Sequence, residues 1–304
     1  MAATISSWRS MFLCLPCCVL ALGAGCGHSH SPVNATSILG SESSSIVGLE
    51  ALPYLADHRR YTVYALGKGP AVLILHELPG LTPQCIQLAR LLAHKDFRVY
   101  VPLLFGDAGV RATTLNFFRA CVAGGYACFS SDDPGRIAHR MRLVSASIHA
   151  QSPTSPMGVI GMCLSGALPI ALMRDPWIMA PVVSQPALPL VGRDAALGIS
   201  ASDLACARAR GVRLLALRFS EDRLSPKARL AALEQALPGQ VEPMVIDSRP
   251  GNPDGLPASA HAVLTEHPTQ RALQKVIDFL NTHLRAAGAT DLAAAPKVCT
   301  QDRS

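Results

Sequence analysis

The chain has 304 residues, of which 49% are hydrophobic and 16% charged, and its formal net charge is +6. That length and apolar content suffice to bury the core of one large α/β domain. The basic excess is scattered, with no Lys/Arg block and no basic stripe interleaved with aromatics, which argues against a nucleic-acid partner.

Arg9 precedes an apolar run, Met11 to Leu22, that is too short to span a bilayer comfortably. Gly23-Ala24-Gly25 and then Cys26 follow. The pattern predicts a leader over 1–26 and export. It is similar to a bacterial lipoprotein signal, in which a cysteine after small residues is lipidated, although Leu22 lies one place further from Cys26 than the usual leucine. That likeness implies a membrane tether through Cys26. The alternative is an apolar extension from a misassigned start. The Ser/Gly/Pro-rich stretch over 27–45 reads as a flexible tether in which His28 and His30 are solvated. One folded domain is expected over 46–286 and a mobile tail over 287–304.

Within the domain, Tyr61 to Leu66 reads as an edge strand. Ala71 to Leu75 is an unbroken apolar run, as expected of a strand buried on both faces. Pro83 to His94 places Ile86, Leu88, Leu91 and Leu92 at helical spacing, and Phe97 to Pro102 predicts the next strand. Residues Asp107 to Asp133 are irregular and rich in Gly, Cys and Phe, which suggests a lid or a wall of a site. Pro134 to Ala150 predicts an amphipathic helix with Asp133 as its cap. Met157 to Ile160 is the next strand, leading into a small-residue helical stretch, Ala167 to Met173. Strands follow at Ala180 to Gln185, Val212 to Leu217 and Val241 to Ile246. Helices follow at Ser202 to Ala209, Ser225 to Ala236 and Pro268 to Arg285. Strands alternating with helices predict a mostly parallel sheet covered on both faces.

The most informative segment is Gly161-Met162-Cys163-Leu164-Ser165-Gly166, between the Met157 strand and the next helix. A strand, a tight turn and a helix with a nucleophile at the apex form a nucleophile elbow. The turn strains the apex and crowds its neighbours, so small residues must flank it. Gly161, Ser165 and Gly166 satisfy that need and put Cys163 at the apex. Ser165 is a weaker candidate nucleophile, because Cys163 precedes it and Ala167 follows it. Similar turns occur in nucleotide-binding folds, so partners are required in the order nucleophile, acid, histidine. Asp222 and Glu221 follow the Val212 strand, where a carboxylate faces the ligand crevice of a parallel sheet. His261 lies between the last strand and the last helix, and His267 is its rival at the start of that helix. Leu75-His76-Glu77-Leu78-Pro79-Gly80 follows a buried strand, so its loop can aim the Leu78 N–H at the site. With the Leu164 N–H it would form an oxyanion hole.

In this order the motifs resemble the dienelactone hydrolase family. They are the His-Glu-x-x-Gly segment at His76, the VYVPLLFGD stretch from Val99 to Asp107, the Gly-x-Cys-Leu-small-Gly elbow, the Asp-x-x-x-Pro segment at Asp222 and the Ala260-His261 pair. The resemblance spans roughly Tyr61 to His283. It implies an α/β-hydrolase fold with Cys163 as nucleophile, His261 as base and Asp222, rather than Glu221, as its orienter. Glu77 would hold the resting thiol and help to remove its proton. The implied activity is cleavage of a small-molecule ester or lactone through a thioester, without metal or cofactor, by a monomer. Two positions depart from the family. Ser165 replaces a glycine, and Thr265 stands four places after the histidine, where members acting on dienelactone carry an arginine for the substrate carboxylate. Dienelactone itself is therefore not the expected substrate.

Of the ten cysteines, Cys14, Cys17, Cys18 and Cys26 fall in the leader. Cys85, Cys121, Cys128, Cys163, Cys206 and Cys299 show no paired spacing for zinc. Cys121 and Cys128 are the nearest pair for a disulfide, which export would permit. Two other functions compete with hydrolysis: a non-catalytic binding or scaffold protein that retains the fold, and thiol redox chemistry at Cys163.

Overall fold

The computed structural model describes residues 46–130, 132–190, 194–285 and Cys299. The expected leader, its Cys26 and the tether lie outside the described residues. Among the described residues, eight strands form one sheet: β1 (Glu50–Ala56), β2 (Arg59–Leu66), β3 (Ala71–Leu75), β4 (Arg98–Pro102), β5 (Met157–Met162), β6 (Ile178–Ser184), β7 (Leu214–Phe219) and β8 (Val241–Ile246). Their order is β1-β2-β4-β3-β5-β6-β7-β8. β2 runs antiparallel to β1 and β4, and the remaining pairings are parallel. The helices are α1 (Pro83–His94), α2 (Thr113–Phe118), α3 (Arg136–His149), α4 (Leu168–Leu172), α5 (Ala201–Arg210), α6 (Lys227–Ala236) and α7 (Gln270–Arg285).

Alternation along the central strands divides the core into two layers. On β3, Leu73 and Leu75 join Ile137, Met141, Val144 and Ile148 of α3. Val72 and Ile74 pack on the other face with Ile86, Leu88 and Leu92 of α1 and with Leu273, Val276, Ile277 and Leu280 of α7. Each such side chain, fully buried, contributes roughly 1.5–3 kcal/mol. A strand with apolar layers on both sides reads as an unbroken apolar run, which is why β3 was legible. The fold is the α/β-hydrolase arrangement that the motifs implied.

Several expectations are corrected. Tyr61 to Leu66 is not an edge, because β1 pairs with β2 along its whole length. β1 carries Pro53 and alternates exposed and half-buried residues, so its local signal is weak. The Asp107 to Asp133 region contains α2 and a π-helical turn, Arg119–Gly124. Asp133 does not cap α3; its carboxylate accepts the Gly135 N–H at 2.7 Å, one residue before the helix begins. The tail is not free at Cys299, which is buried and disulfide-bonded to Cys206. The Cys299 carbonyl also accepts the Arg174 guanidinium at 3.0 Å. The second disulfide joins Cys121 to Cys128.

Arg210 locks the turn between α4 and β6. Its guanidinium donates to the carbonyls of Met173 at 2.6 Å, Asp175 at 2.7 Å, Pro176 at 2.7 Å and Ile178 at 3.0 Å. Burial lowers its pKa to about 10. Arg210→Met keeps the apolar stem and strands these carbonyls. It is expected to cost on the order of 3 kcal/mol in urea unfolding, and an unchanged urea midpoint would show the clamp to be dispensable.

Candidate active site

The C-terminal ends of β3, β5 and β7, with the loop after β8, converge on one crevice, as open parallel sheets require. β5 ends at Met162, and the chain turns through a 3-10 helix, Cys163–Ser165, into α4. Cys163 has a positive φ of 50°. For a residue with a side chain this conformation costs roughly 1–3 kcal/mol and persists only when its surroundings impose it. They do so here by close approach. A Cβ on Gly161 would lie 2.3 Å from the Ser165 carbonyl oxygen and 2.5 Å from Pro169 Cδ. One on Gly166 would lie 2.6 Å from Pro186 Cα. The Cys163 carbonyl is held by the N–H groups of Gly166 and Ala187 at 2.9 and 3.0 Å.

His261 brings two partners together. Its Nδ1–H donates to Asp222 Oδ2 at 2.8 Å. Its Nε2 is buried without a conventional hydrogen bond, and the Cys163 thiol is the neighbour that acts on it. Burial alone would lower the imidazole's proton affinity. Cys163 and Asp222 outweigh burial and raise His261 well above the ordinary imidazole value. Asp222 Oδ1 accepts the N–H groups of Leu224 and Ser225 at 2.9 and 3.1 Å, so both carboxylate oxygens are engaged.

The rival residues make other contacts. Glu221 is exposed, and its N–H binds Ser248 Oγ at 3.1 Å. His267 packs its ring edge-on to Phe219 with centroids 6.4 Å apart. At the start of α7 the Thr269 hydroxyl accepts the Ala272 N–H. Ser165 is fully buried and donates its hydroxyl proton to the His76 carbonyl at 2.9 Å, which leaves it no freedom as a nucleophile. Among the described residues Cys85 and Cys163 are the free cysteines, and Cys85 is buried in the core with α1.

Glu77 follows β3 and is buried. Thr265 Oγ1 donates to its Oε1, and Gln185 Nε2 donates to its Oε2 at 3.0 Å. The resting carboxyl therefore engages these two donors rather than the thiol expected from the motif. Burial raises its pKa from 4.5 to about 7, with Thr265 and His261 opposing the rise. Gln185 itself has a φ of 33° and accepts from Ser184 Oγ. No motif marked Gln185; its sole signal was a polar pair, Ser184-Gln185, closing an apolar strand.

The N–H of Leu78 has no acceptor among the described residues, and that of Leu164 lies in the first turn of the 3-10 helix, where no acceptor within the helix is available. Two buried arginines brace the surrounding loops. Arg218 on β7 donates to the carbonyls of Ser225 at 2.8 Å, Ser220 at 3.1 Å and Asp222 at 3.4 Å. Arg229 on α6 ties Pro186, Leu224, Ala196 and Pro189 together through their carbonyls. Beside Asp222 and His261 lies a cavity of about 340 Å³, also lined by Glu221, Arg223, Leu224, Ala258 and Ser259.

Among solved structures, the chain is similar to a dienelactone hydrolase-like promiscuous phosphotriesterase from metagenomic libraries (17% identity, 78% of this chain and 98% of the other, TM-score 0.55). A cold-adapted esterase from an Arctic intertidal metagenomic library matches at 17% identity, over 78% and 94% of the two chains, with TM-score 0.54. A Pyrococcus furiosus esterase matches at 13% identity, over 86% and 98%, with TM-score 0.54. At these identities the likeness establishes the fold. No curated protein matches the sequence. The sequence profile described as the Dienelactone hydrolase family matches residues 61–284. The chain therefore belongs to the dienelactone hydrolase family.

Proposed function

We propose that the protein hydrolyses a neutral carboxylic ester or lactone, with Cys163 as nucleophile, His261 as acid and base, and Asp222 as the carboxylate that orients the imidazole. The observation that carries this reading is the His261–Asp222 bond at 2.8 Å, with Cys163, at a strained apex, interacting electrostatically with the same imidazole. An imidazole of raised proton affinity is a strong base toward a neighbouring thiol. Asp222, engaged at Nδ1, keeps Nε2 available for that thiol.

In the proposed cycle His261 takes the Cys163 proton and the thiolate adds to the substrate carbonyl. The Leu78 and Leu164 N–H groups then bind the oxyanion. Collapse expels the alkoxide, which takes its proton from His261 Nε2. Water, deprotonated by the same nitrogen, cleaves the thioester and returns the proton to sulfur. Glu77 is a second acid–base group beside His261. A neutral substrate is favoured because Thr265, four places after His261, offers a hydroxyl already committed to Glu77 rather than a cation, and because Arg223 in the adjoining cavity is accompanied there by the Glu221 and Asp222 carboxylates. Leu224 and Ala258 give the adjoining cavity an apolar side. We also infer export and retention at a membrane through the leader over 1–26 and Cys26; the two disulfides support an oxidising compartment.

Cys163→Ala and His261→Ala are each expected to lose nearly all turnover of short-chain p-nitrophenyl esters, and Cys163→Ala to lose iodoacetamide labelling at the elbow. Full turnover in Cys163→Ala would refute the nucleophile. Glu77 carries a pH prediction with a definite sign. Folding raises its pKa from 4.5 to about 7, so its contribution to stability is complete below about 4.5 and declines as the pH rises to about 7. Glu77→Gln should remove that decline in Tm and abolish an ascending limb of kcat near pH 7. Identical pH profiles in both proteins would exclude the role.

A further inference from the structure

Leu78, whose N–H is offered to the oxyanion, sits between two backbone carbonyls that are fixed by side chains from other parts of the chain. On one side, the His76 carbonyl accepts the Ser165 hydroxyl at 2.9 Å. Ser165 Oγ lies 2.7 Å from the Tyr126 hydroxyl. Because the single Ser165 proton is spent on a carbonyl, which can only accept, Tyr126 is the donor to Ser165. The order is therefore Tyr126 O–H to Ser165 O–H to His76 C=O. On the other side, the Pro79 carbonyl accepts Asn116 Nδ2 at 2.8 Å. The Asn116 amide fills space that only glycines leave open: a Cβ on Gly80 or Gly106 would come within 2.8 or 2.5 Å of it. Ser165 and Asn116 are fully buried and Tyr126 nearly so. Asn116 lies on α2. Tyr126 lies between Cys121 and Cys128, which are joined by a disulfide. Both belong to the Asp107 to Asp133 region.

We propose that Tyr126, Ser165 and Asn116 are positioning residues that hold the Leu78 N–H in register with the Leu164 N–H, making the wall over 113–128 a working part of the oxyanion site. This rests on the proposed hydrolytic reading. Ser165 is the element particular to this chain. The glycine usual at its position offers no hydroxyl to link wall, elbow and loop, whereas here one hydrogen-bonded chain joins all three. An oxyanion donor acts fully only when it is preorganised within about 2.7–3.1 Å of the developing charge, and a loop free to move at one end loses that register. A mainly structural role would lower stability without selecting the step at which charge develops.

The test uses the full chain, with Tyr126→Phe, Ser165→Gly, their double variant and Asn116→Ala. Three readouts are taken: p-nitrophenyl acetate kinetics, inhibition by an alkyl trifluoromethyl ketone and iodoacetamide alkylation of Cys163. In the ketone adduct a C–S bond forms and the carbonyl electron pair moves onto oxygen, so an oxyanion is built. In alkylation a C–S bond forms and iodide leaves, so none is built. Each single variant is expected to lower kcat roughly tenfold, to leave KM little changed, to weaken ketone binding by the same factor as kcat and to leave the alkylation rate unaltered. Tyr126→Phe and Ser165→Gly should be non-additive, since either breaks the same chain. The inference is overturned if the variants keep kcat and ketone affinity, or if ketone affinity and alkylation fall together with Tm. A parent that is neither alkylated at Cys163 nor active on esters would overturn the hydrolytic reading itself, and this inference with it.

Discussion

The left-handed backbone of Cys163 is the constraint around which the rest is arranged. A φ of 50° is unfavourable for a residue bearing a side chain, and it is imposed by the folded surroundings rather than by local preference. Parallel pairing of β5 with β3 and β6 fixes where the chain leaves the sheet. Gly161 and Gly166 let the turn fold back on itself at distances that no Cβ would permit. The turn sets Cys163 just beyond the end of β5, where it interacts electrostatically with His261 from a distant loop.

What meets it is held by polar contacts to backbone carbonyls rather than by regular secondary structure. His261 and Asp222 lie on loops, which are mobile by default. Here Arg218 and Arg229 gather the carbonyls of the Asp222 loop and of the segment after β6, and Asn116 and Ser165 do the same for the segment after β3. Long or branched donors can satisfy several carbonyls at once in a poorly hydrated site, where an unmatched polar group costs about 1–3 kcal/mol. The loops thereby gain the rigidity that a preorganised site needs without being built into strands.

Glu77 shows how the same environment alters a single group. Its burial favours the protonated form, and its two donors and His261 oppose that preference only in part. Thr265 is central to this balance. A hydroxyl there serves Glu77 and brings no positive charge, so the cations nearest the crevice are Arg218, Arg229 and Arg223 on the Asp222 side.

The sequence by itself determined the parallel part of the sheet, the two-sided core and the candidate chemical groups. Apolar runs such as Ala71 to Leu75, the helical spacing over Pro83 to His94, the small residues around Cys163 and the chain order of Cys163, Asp222 and His261 are all local signals. Tertiary structure alone decided that Ser165 and Tyr126 share a proton-ordered chain, that Gln185 and Thr265 seat Glu77, and that Cys299 returns to Cys206. Each of these is a contact between residues far apart in sequence, formed by polar side chains with no periodicity to betray them. β1 and the 113–128 wall escaped for a related reason. Their order comes from pairing with β2 in one case, and from a disulfide and buried amide contacts in the other, rather than from any propensity of their own.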